Sequence, residues 1–243
     1  MIYIIFSDLH SNLESLQAFD DATSNIKHDK KVFLGDAVGY GADPNVCVEW
    51  LRENVDIILA GNHDYAVVGK TSLSYFNSYA RHVCLWTQQT LSEDNKRFLG
   101  SLSIAKEEDG IFWAHSSPFE PDEWRYVNSI PLARKNFEYF SASVCFIGHS
   151  HLPWVFEQDA DGNVETYPQM FTGRLKAGCR YIVNVGSLGQ PRDGNPDPVF
   201  VIYDSETQSL AHRRFKYNST ETRSKILNNG FSTYLAERLI QGK

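Results

Sequence analysis

The sequence predicts an α/β fold in which an α/β half precedes a β-rich half, with two sheets packed face to face and helices outside. Three observations carry this reading. Ile2 to Phe6 is an unbroken apolar run rich in β-branched residues, as expected of a strand buried on both faces. From there to Gly61, strand-like and amphipathic helical segments alternate, which is the pattern of parallel β-α-β-α-β units with right-handed crossovers. Beyond Pro153, short strands follow one another across turn signals such as Asp161-Gly162, like a meander of antiparallel hairpins.

The elements follow in order. Asn12 is placed to cap a helix reaching about Ser24, with Leu13, Leu16 and Phe19 facing inward. Residues 31–34 form the next strand, stopped by Gly35-Asp36, and the preceding lysines suit a solvated turn. Asp43-Pro44 is an N-cap followed by proline at the first helical position, opening a helix that carries Val46, Val48 and Leu51. Residues 55–60 are a third strand. The 74–102 stretch is read as helical, its Tyr75, Tyr79, Val83 and Trp86 stripe as core packing. Ile111 to Ala114 and Val144 to Ile147 are strands, separated by an aromatic-rich irregular loop over 117–128 and a helix over 131–140. Strands are expected at 154–157, 163–167, 181–185, 198–204 and 209–217. A helix from Ser219 stops at Asn229-Gly230, and Leu235 and Leu239 mark a closing one. No repeat or linker divides the 243 residues, so a single domain over 1–243 is expected.

The composition narrows the function. A net charge of −7 disfavours nucleic-acid backbones as partners, and no apolar stretch reaches membrane length. The four cysteines show no metal-binding or CxxC spacing, Cys145 lies in an apolar run, and the first residues show no basic n-region or cleavage site. A reducing, cytoplasmic location is expected.

Five predicted strand ends carry one kind of residue: Asp8-Leu9-His10, Gly35-Asp36, Gly61-Asn62-His63-Asp64, Ala114-His115 and Gly148-His149-Ser150-His151. Five positions in this set are His, out of eight in the chain, and one such site could be accidental whereas the series is not. His28, His82 and His212 fall outside it and receive no role. Carboxylate, amide oxygen and imidazole suit Mn²⁺, Fe²⁺, Co²⁺, Ni²⁺ or Zn²⁺, and the absence of cysteine argues against a closed structural zinc site. Seven ligand-type residues exceed the need of one ion. Two ions about 3.5–4 Å apart, sharing one carboxylate and a bridging hydroxide, use them sensibly.

In order and spacing these motifs resemble the calcineurin-like metallophosphoesterase superfamily, over residues 8 to 151. Asn184-Val-Gly-Ser-Leu-Gly-Gln-Pro-Arg-Asp-Gly194 and Leu235-Ala-Glu-Arg-Leu resemble a compact prokaryotic branch, some of whose members hydrolyse phosphodiesters or dinucleoside polyphosphates. The resemblance implies a four-layer α/β/β/α sandwich of two mixed sheets. It implies one metal held by Asp8, His10 and His151, a second by Asn62, His115 and His149, and Asp36 bridging them, Mn²⁺ being the first expectation. His63 corresponds to the histidine facing the leaving group, which as an imidazolium would protonate a departing alkoxide.

One departure is informative. Protein phosphatases of this superfamily carry Gly-Asp-x-x-Asp-Arg-Gly, whereas this chain has Gly35-Asp36-Ala37-Val38-Gly39-Tyr40-Gly41. The carboxylate that orients the catalytic histidine and the phosphate-binding arginine are both missing, which argues against protein substrates and leaves Asp64 as the nearest carboxylate to His63. Arg192, in a Gly/Pro-rich loop, is placed to contact phosphate, and Tyr40, Tyr65 and Trp124 are candidates to stack on a nucleobase. The expected activity is hydrolysis of a small phosphodiester or phosphoanhydride by in-line attack of metal-bridging hydroxide. A phosphomonoesterase, a cyclic-nucleotide phosphodiesterase or a non-catalytic scaffold of the same fold are the alternatives.

Overall fold

A computed structural model describes residues 1–243. The first half lays down β1 (Ile2–Phe6), α1 (Leu13–Thr23), β2 (Lys30–Phe33), α2 (Pro44–Asn54), β3 (Ile57–Ile58), α3 (Asn62–Val67), α4 (Ser78–Thr90) and α5 (Glu93–Ser101). It continues through β4 (Ala105–Glu108), β5 (Ile111–Ala114), α6 (Ile130–Asn136) and β6 (Val144–Ile147). The second half adds β7 (Val155–Gln158), β8 (Val164–Tyr167), β9 (Thr172–Arg174), β10 (Arg180–Asn184), β11 (Val199–Asp204), β12 (Ser209–Arg214), α7 (Ser219–Asn228) and α8 (Thr233–Gln241).

The strands form two six-stranded mixed sheets, ordered β3-β2-β1-β11-β12-β9 and β4-β5-β6-β10-β7-β8. β1, β2 and β3 are parallel in the first, and β5, β6 and β10 in the second. Tyr3 and Ile5 meet Trp113, Phe146 and Val183 in the core between the sheets. The alternate residues Ile4 and Phe6 face outward against Leu16, Phe19, Val48 and Leu51 of α1 and α2. Cys145 and Ile147 similarly cover Ala133 and Phe137 on the far side. This is the predicted α/β/β/α sandwich. A strand covered on both faces has no polar side to show, which is why its sequence is continuously apolar. No helix is long and apolar enough to cross a membrane.

Several expectations need correction. The C-terminal strands are not one meander: β7 and β8 pair in the second sheet, β11 and β12 in the first, and β10 runs parallel to β6. The short edge strands β4 and β9 carry too little apolar pattern to be seen. The third strand shrinks to Ile57–Ile58, and the long helix divides into a 3₁₀ turn, α4 and α5 at Asn77 and Ser92, which accept hydrogen bonds from Ala80 and Asn95 as N-caps. Of its aromatic stripe, Val83 is core, whereas Tyr75 is 84% exposed and Tyr79 44%. Val46 is likewise exposed, because Pro44 starts the helix in a phase that turns Cys47, Val48 and Leu51 inward. Lys30 is in β2 rather than a solvated turn and pairs with Glu108 and Asp109 at 2.9 and 2.8 Å.

Phe6 sits 4.4 Å from the Phe19 ring and 5.2 Å from Phe33. Phe6→Ala should therefore cost about 3–5 kcal/mol in a urea melt, while Val46→Asp should stay within about 0.5 kcal/mol. A costly Val46→Asp would contradict the helix phase.

Candidate metal centre

All five motif segments lie where β1, β2, β3, β5 and β6 end, at one shared edge of the two sheets. Parallel strands deliver their carboxyl ends to the same side within each sheet, and the face-to-face packing of the two sheets brings residues 8 and 149 together. Asp8 and His10 do not continue the strand as their i,i+2 spacing suggested. β1 stops at Phe6, and Asp8 and His10 adopt left-handed backbone at φ 55° and 50°. Asp36, His149 and His151 do the same, at 59°, 63° and 61°. Non-glycine residues adopt this region at a cost of order 1–3 kcal/mol each, so these turns are held against local preference.

The segment 184–190 holds these turns in place. Asn184 Nδ2 donates to Gly148 O and Ser150 Oγ, and Ser187 Oγ and Gly189 N donate to Asp8 O at 2.9 and 2.8 Å. The glycine-containing motif thereby joins the exits of β1 and β6. His212, which received no role, is buried with Nε2 2.9 Å from Asn184 O, a structural position.

Three groups of side chains converge: Asp8, His10 and His151; Asp36, His115 and His149; and His10, Asp36 and His63. His151 Nε2 is 3.3 Å from Asp8 Oδ1, His115 Nε2 is 3.5 Å from Asp36 Oδ2, and His10 Nε2 is 3.7 Å from the same oxygen. Asn62 Oδ1 lies 3.3 Å from His115 Nε2. The carboxylate of Asp36 therefore stands between the two outer groups.

Backbone carbonyls define what the imidazoles offer. Nδ1 of His10, His115 and His151 donates to Val38 O, Leu34 O and Gln190 O, and His149 Nε2 donates to Trp124 O at 2.8 Å. Each ring commits its N–H outward and turns a lone pair toward the others. His10 Nε2 and His151 Nε2 consequently face each other at 3.2 Å, and Asp8 Oδ1 is buried without a hydrogen-bond donor. Four imidazole nitrogens, an amide oxygen and two carboxylates thus converge. That donor set fits divalent metal ions in chemistry and in number.

Burial keeps His10, His149 and His151 neutral, holding His149 down to about 3. His115 is different: burial opposes its charge, but Asp36 beside it raises it to about 9. Asp36 itself is held well below the usual carboxylate range, against its burial, by His115, His63 and His10.

His63 stands apart. Burial lowers it to about 4, so at neutral pH the ring is neutral rather than the imidazolium expected from the sequence. Asp64 does not orient it. The Asp64 carboxylate turns away and accepts from the backbone N–H groups of Asp36, Ala37, Val38 and Gly61 at 2.9–3.2 Å, while His63 N donates to Asp36 Oδ1 at 2.8 Å. The partner of His63 Nδ1 is Cys84 Sγ of α4, 3.6 Å away and buried. Burial pushes that thiol up to about 12, so it carries its proton and can donate to Nδ1. Gly39, where protein phosphatases carry aspartate, leaves no room for one, since a Cβ there would meet His63 Nδ1 at 2.3 Å.

A cleft of about 410 Å³ opens beside these residues, lined among others by Tyr40, His63, Trp124, Tyr126 and Arg192. Tyr65 is not part of it, its hydroxyl donating to Leu102 O. Sequence reasoning missed Cys84 and Tyr126, whose half-exposed ring stacks on His149 at 4.4 Å. Neither lies in a motif, and only the contact reveals them.

The chain matches the model of the calcineurin-like phosphoesterase superfamily domain over residues 1–208. It is 37% identical to an uncharacterized protein of Methanocaldococcus jannaschii over 98% of this chain and 97% of the relative. Among solved structures it is similar to a metallophosphoesterase from Sphaerobacter thermophilus, with 33% identity, a TM-score of 0.89, and 100% and 99% of the two chains covered. A hypothetical protein from Pyrococcus horikoshii OT3 shares the fold at 15% identity and a TM-score of 0.78, covering 100% and 98%.

Two outcomes follow from this geometry. Asp64→Ala strips an acceptor from four backbone N–H groups and should cost on the order of 3 kcal/mol by chemical denaturation, well above the roughly 1 kcal/mol of a lost cap. The imidazoles set a pH dependence in EDTA-treated protein. His10, His63, His149 and His151 are lowered from 6.5, so their stability is full above that pH and lost as pH falls toward about 4. Asp64, pushed up to about 7 by burial and the charge of Asp36, works in the opposite sense, as does His115. The four lowered histidines outnumber them, so Tm should fall between pH 7 and pH 5. A flat or rising Tm would mean that the rings are not buried neutral.

Proposed function

The chain belongs to the calcineurin-like phosphoesterase superfamily and is a hydrolase acting on phosphate esters; from that premise we propose that it hydrolyses a small phosphodiester or phosphoanhydride at a two-metal site. A nucleotide or dinucleoside polyphosphate is the substrate class in view. The observation that carries this reading is the convergence of seven ligand-type side chains, each of whose imidazoles donates one N–H to a backbone carbonyl. Asp8, His10 and His151 would hold one ion, Asn62, His115 and His149 the other, with Asp36 shared. Mn²⁺ is the first choice, with Fe, Zn, Ni or Co compatible. When bound, the ions supply Lewis-acid stabilisation of the phosphoryl oxygens and a water of lowered pKa.

The chain's own residues supply the rest. Arg192 and Tyr40 line the cleft and are assigned to substrate binding, the guanidinium as a fork for phosphate oxygens. His63 is assigned to the leaving group. With Nδ1 accepting a hydrogen bond from the Cys84 thiol, Nε2 carries the N–H and aims it at a departing alkoxide; if that proton is transferred, the thiol proton moves to Nδ1, so the ring stays neutral and the charge passes to the Cys84 sulfur. Trp124 and Tyr126 offer faces for a base at the cleft mouth. The three buried free thiols suit a reducing cytoplasm, and the chain is taken to act as one domain.

Purified protein should turn over nucleotides or model esters with added Mn²⁺ and lose that activity in EDTA. Metal analysis should give about two equivalents, reduced at both sites by Asp36→Ala. No turnover across a broad panel, in protein that holds its metal, would leave an interaction scaffold instead. His63→Ala should slow an alkyl or nucleoside ester by about 10²–10⁴-fold and a nitrophenyl ester far less, because nitrophenolate departs without a proton. Equal losses on both would remove His63 from the proton transfer.

A further inference from the structure

Tyr40 stands where protein phosphatases carry their phosphate-binding arginine, and two arginines from the other end of the chain lie over its ring. The guanidinium carbons of Arg192 and Arg238 are 5.8 and 5.9 Å from its centroid. His10 and His63 touch the same ring at 4.8 and 4.6 Å, so Tyr40 is shared between the candidate metal side chains and the two cations.

Neither arginine has a side-chain carboxylate partner. Arg192 Nη2 donates to the amide oxygen of Gln190 at 2.9 Å, and its Nε is buried with no acceptor. Arg238 Nε donates to the backbone oxygen of Lys243, its guanidinium also lies 5.4 Å from the Tyr234 centroid, and its Nη groups have no hydrogen-bond partner. The carboxylates adjacent in sequence are engaged elsewhere, Asp193 with Arg214 and Glu237 with Arg223. Burial and the charge of Arg192 together lower the pKa of Arg238, as expected of two like charges drawn close.

Their approach is built into the backbone. Gly194 N, beside Arg192, donates to Gly242 O at 2.9 Å, at the end of α8. Gly242 is left-handed at φ 65°, and a Cβ there would come within 2.5 Å of the Asn195 backbone. The Leu235-Ala-Glu-Arg238-Leu motif is thereby docked on the Gly/Pro-rich loop, with Arg238 turned toward Tyr40. Packing alone would not require two guanidiniums on one ring, neither of them matched by a side-chain carboxylate. An anion between them would supply the missing acceptors.

We propose that Arg192 and Arg238 form a second phosphate subsite beside the candidate metal centre, which takes the non-reacting phosphate of a phosphoanhydride such as a nucleoside di- or polyphosphate. The subsite rests on the phosphoesterase reading above and narrows its substrate class. A bidentate guanidinium matches the oxygens of one phosphoryl group, and two of them match a charge greater than one.

The test uses full-length protein and separates binding from turnover. In EDTA, calorimetry with pyrophosphate should show binding that Arg238→Gln weakens by roughly tenfold to a hundredfold, with partial retention in Arg238→Lys. In metal-loaded protein, Arg238→Gln should lower kcat/KM for a nucleoside diphosphate at least tenfold more than for a nitrophenyl phosphodiester. Circular dichroism and Tm of the two variants check folding, and Arg238→Lys carries the test if the Gln variant unfolds. Pyrophosphate binding that is unaltered in both variants, or equal losses on both substrates, overturns the subsite while leaving the esterase assignment standing. Absence of turnover on either substrate with Arg238-dependent pyrophosphate binding would instead overturn the esterase assignment and leave the subsite.

Discussion

The carboxylate of Asp64 is the contact on which the candidate centre depends. It accepts N–H groups from Asp36, Ala37 and Val38 on one strand exit and from Gly61 on the next, fixing two turns that share no other regular pairing. Asp36 returns the interaction by accepting from His63 N. Gly61 makes this closeness possible, since a Cβ there would lie 2.1 Å from Asp36 Oδ1. Buried carboxylates facing one another are costly unless each is satisfied by directed donors, and backbone N–H groups provide them without introducing a competing positive charge. The cation positions suggested by the donor set are therefore left to ions.

The same logic of second partners runs outward through the site. Carbonyls of Leu34, Val38, Trp124 and Gln190 each take one imidazole proton. They come from three segments, the exit of β2 at 34–38 and the loops holding 124 and 190, so the tautomer of every ring is set by a part of the chain remote from it. Left-handed backbone at Asp8, His10, Asp36, His149 and His151 concentrates strain in the same small volume. Strain of this kind persists only where surrounding packing over-determines it. The two-sided burial of β1 and β2 provides that rigidity.

Where the chain departs from the protein-phosphatase motif, the fold has answered from elsewhere. Gly39 removes a carboxylate from His63, and the Cys84 thiol of α4 meets the same nitrogen. Tyr40 removes an arginine, and two guanidiniums from the C-terminal half lie on its ring. A thiol is a weaker and neutral partner for imidazole than a carboxylate, so it sets the tautomer of His63 without raising its basicity. The positive charge, in turn, moves from the motif loop to elements that a shorter relative of the fold could lack.

The sequence alone determined the layers and the donor set. Continuous apolar runs reveal strands covered on both faces, and parallel strands gather the polar residues at their carboxyl ends to one edge of each sheet. That Asp8, His10, Asp36, Asn62, His115, His149 and His151 would lie close together was legible for that reason. What only the tertiary structure decided were contacts between residues far apart with no shared pattern. These include Cys84 against His63, Tyr126 on His149, Arg238 over Tyr40, and the division of the C-terminal strands between two sheets. The turn chemistry of a strand is local, but the choice of its neighbour depends on how both faces are covered, and a single partner contact carries no periodicity for a sequence to display.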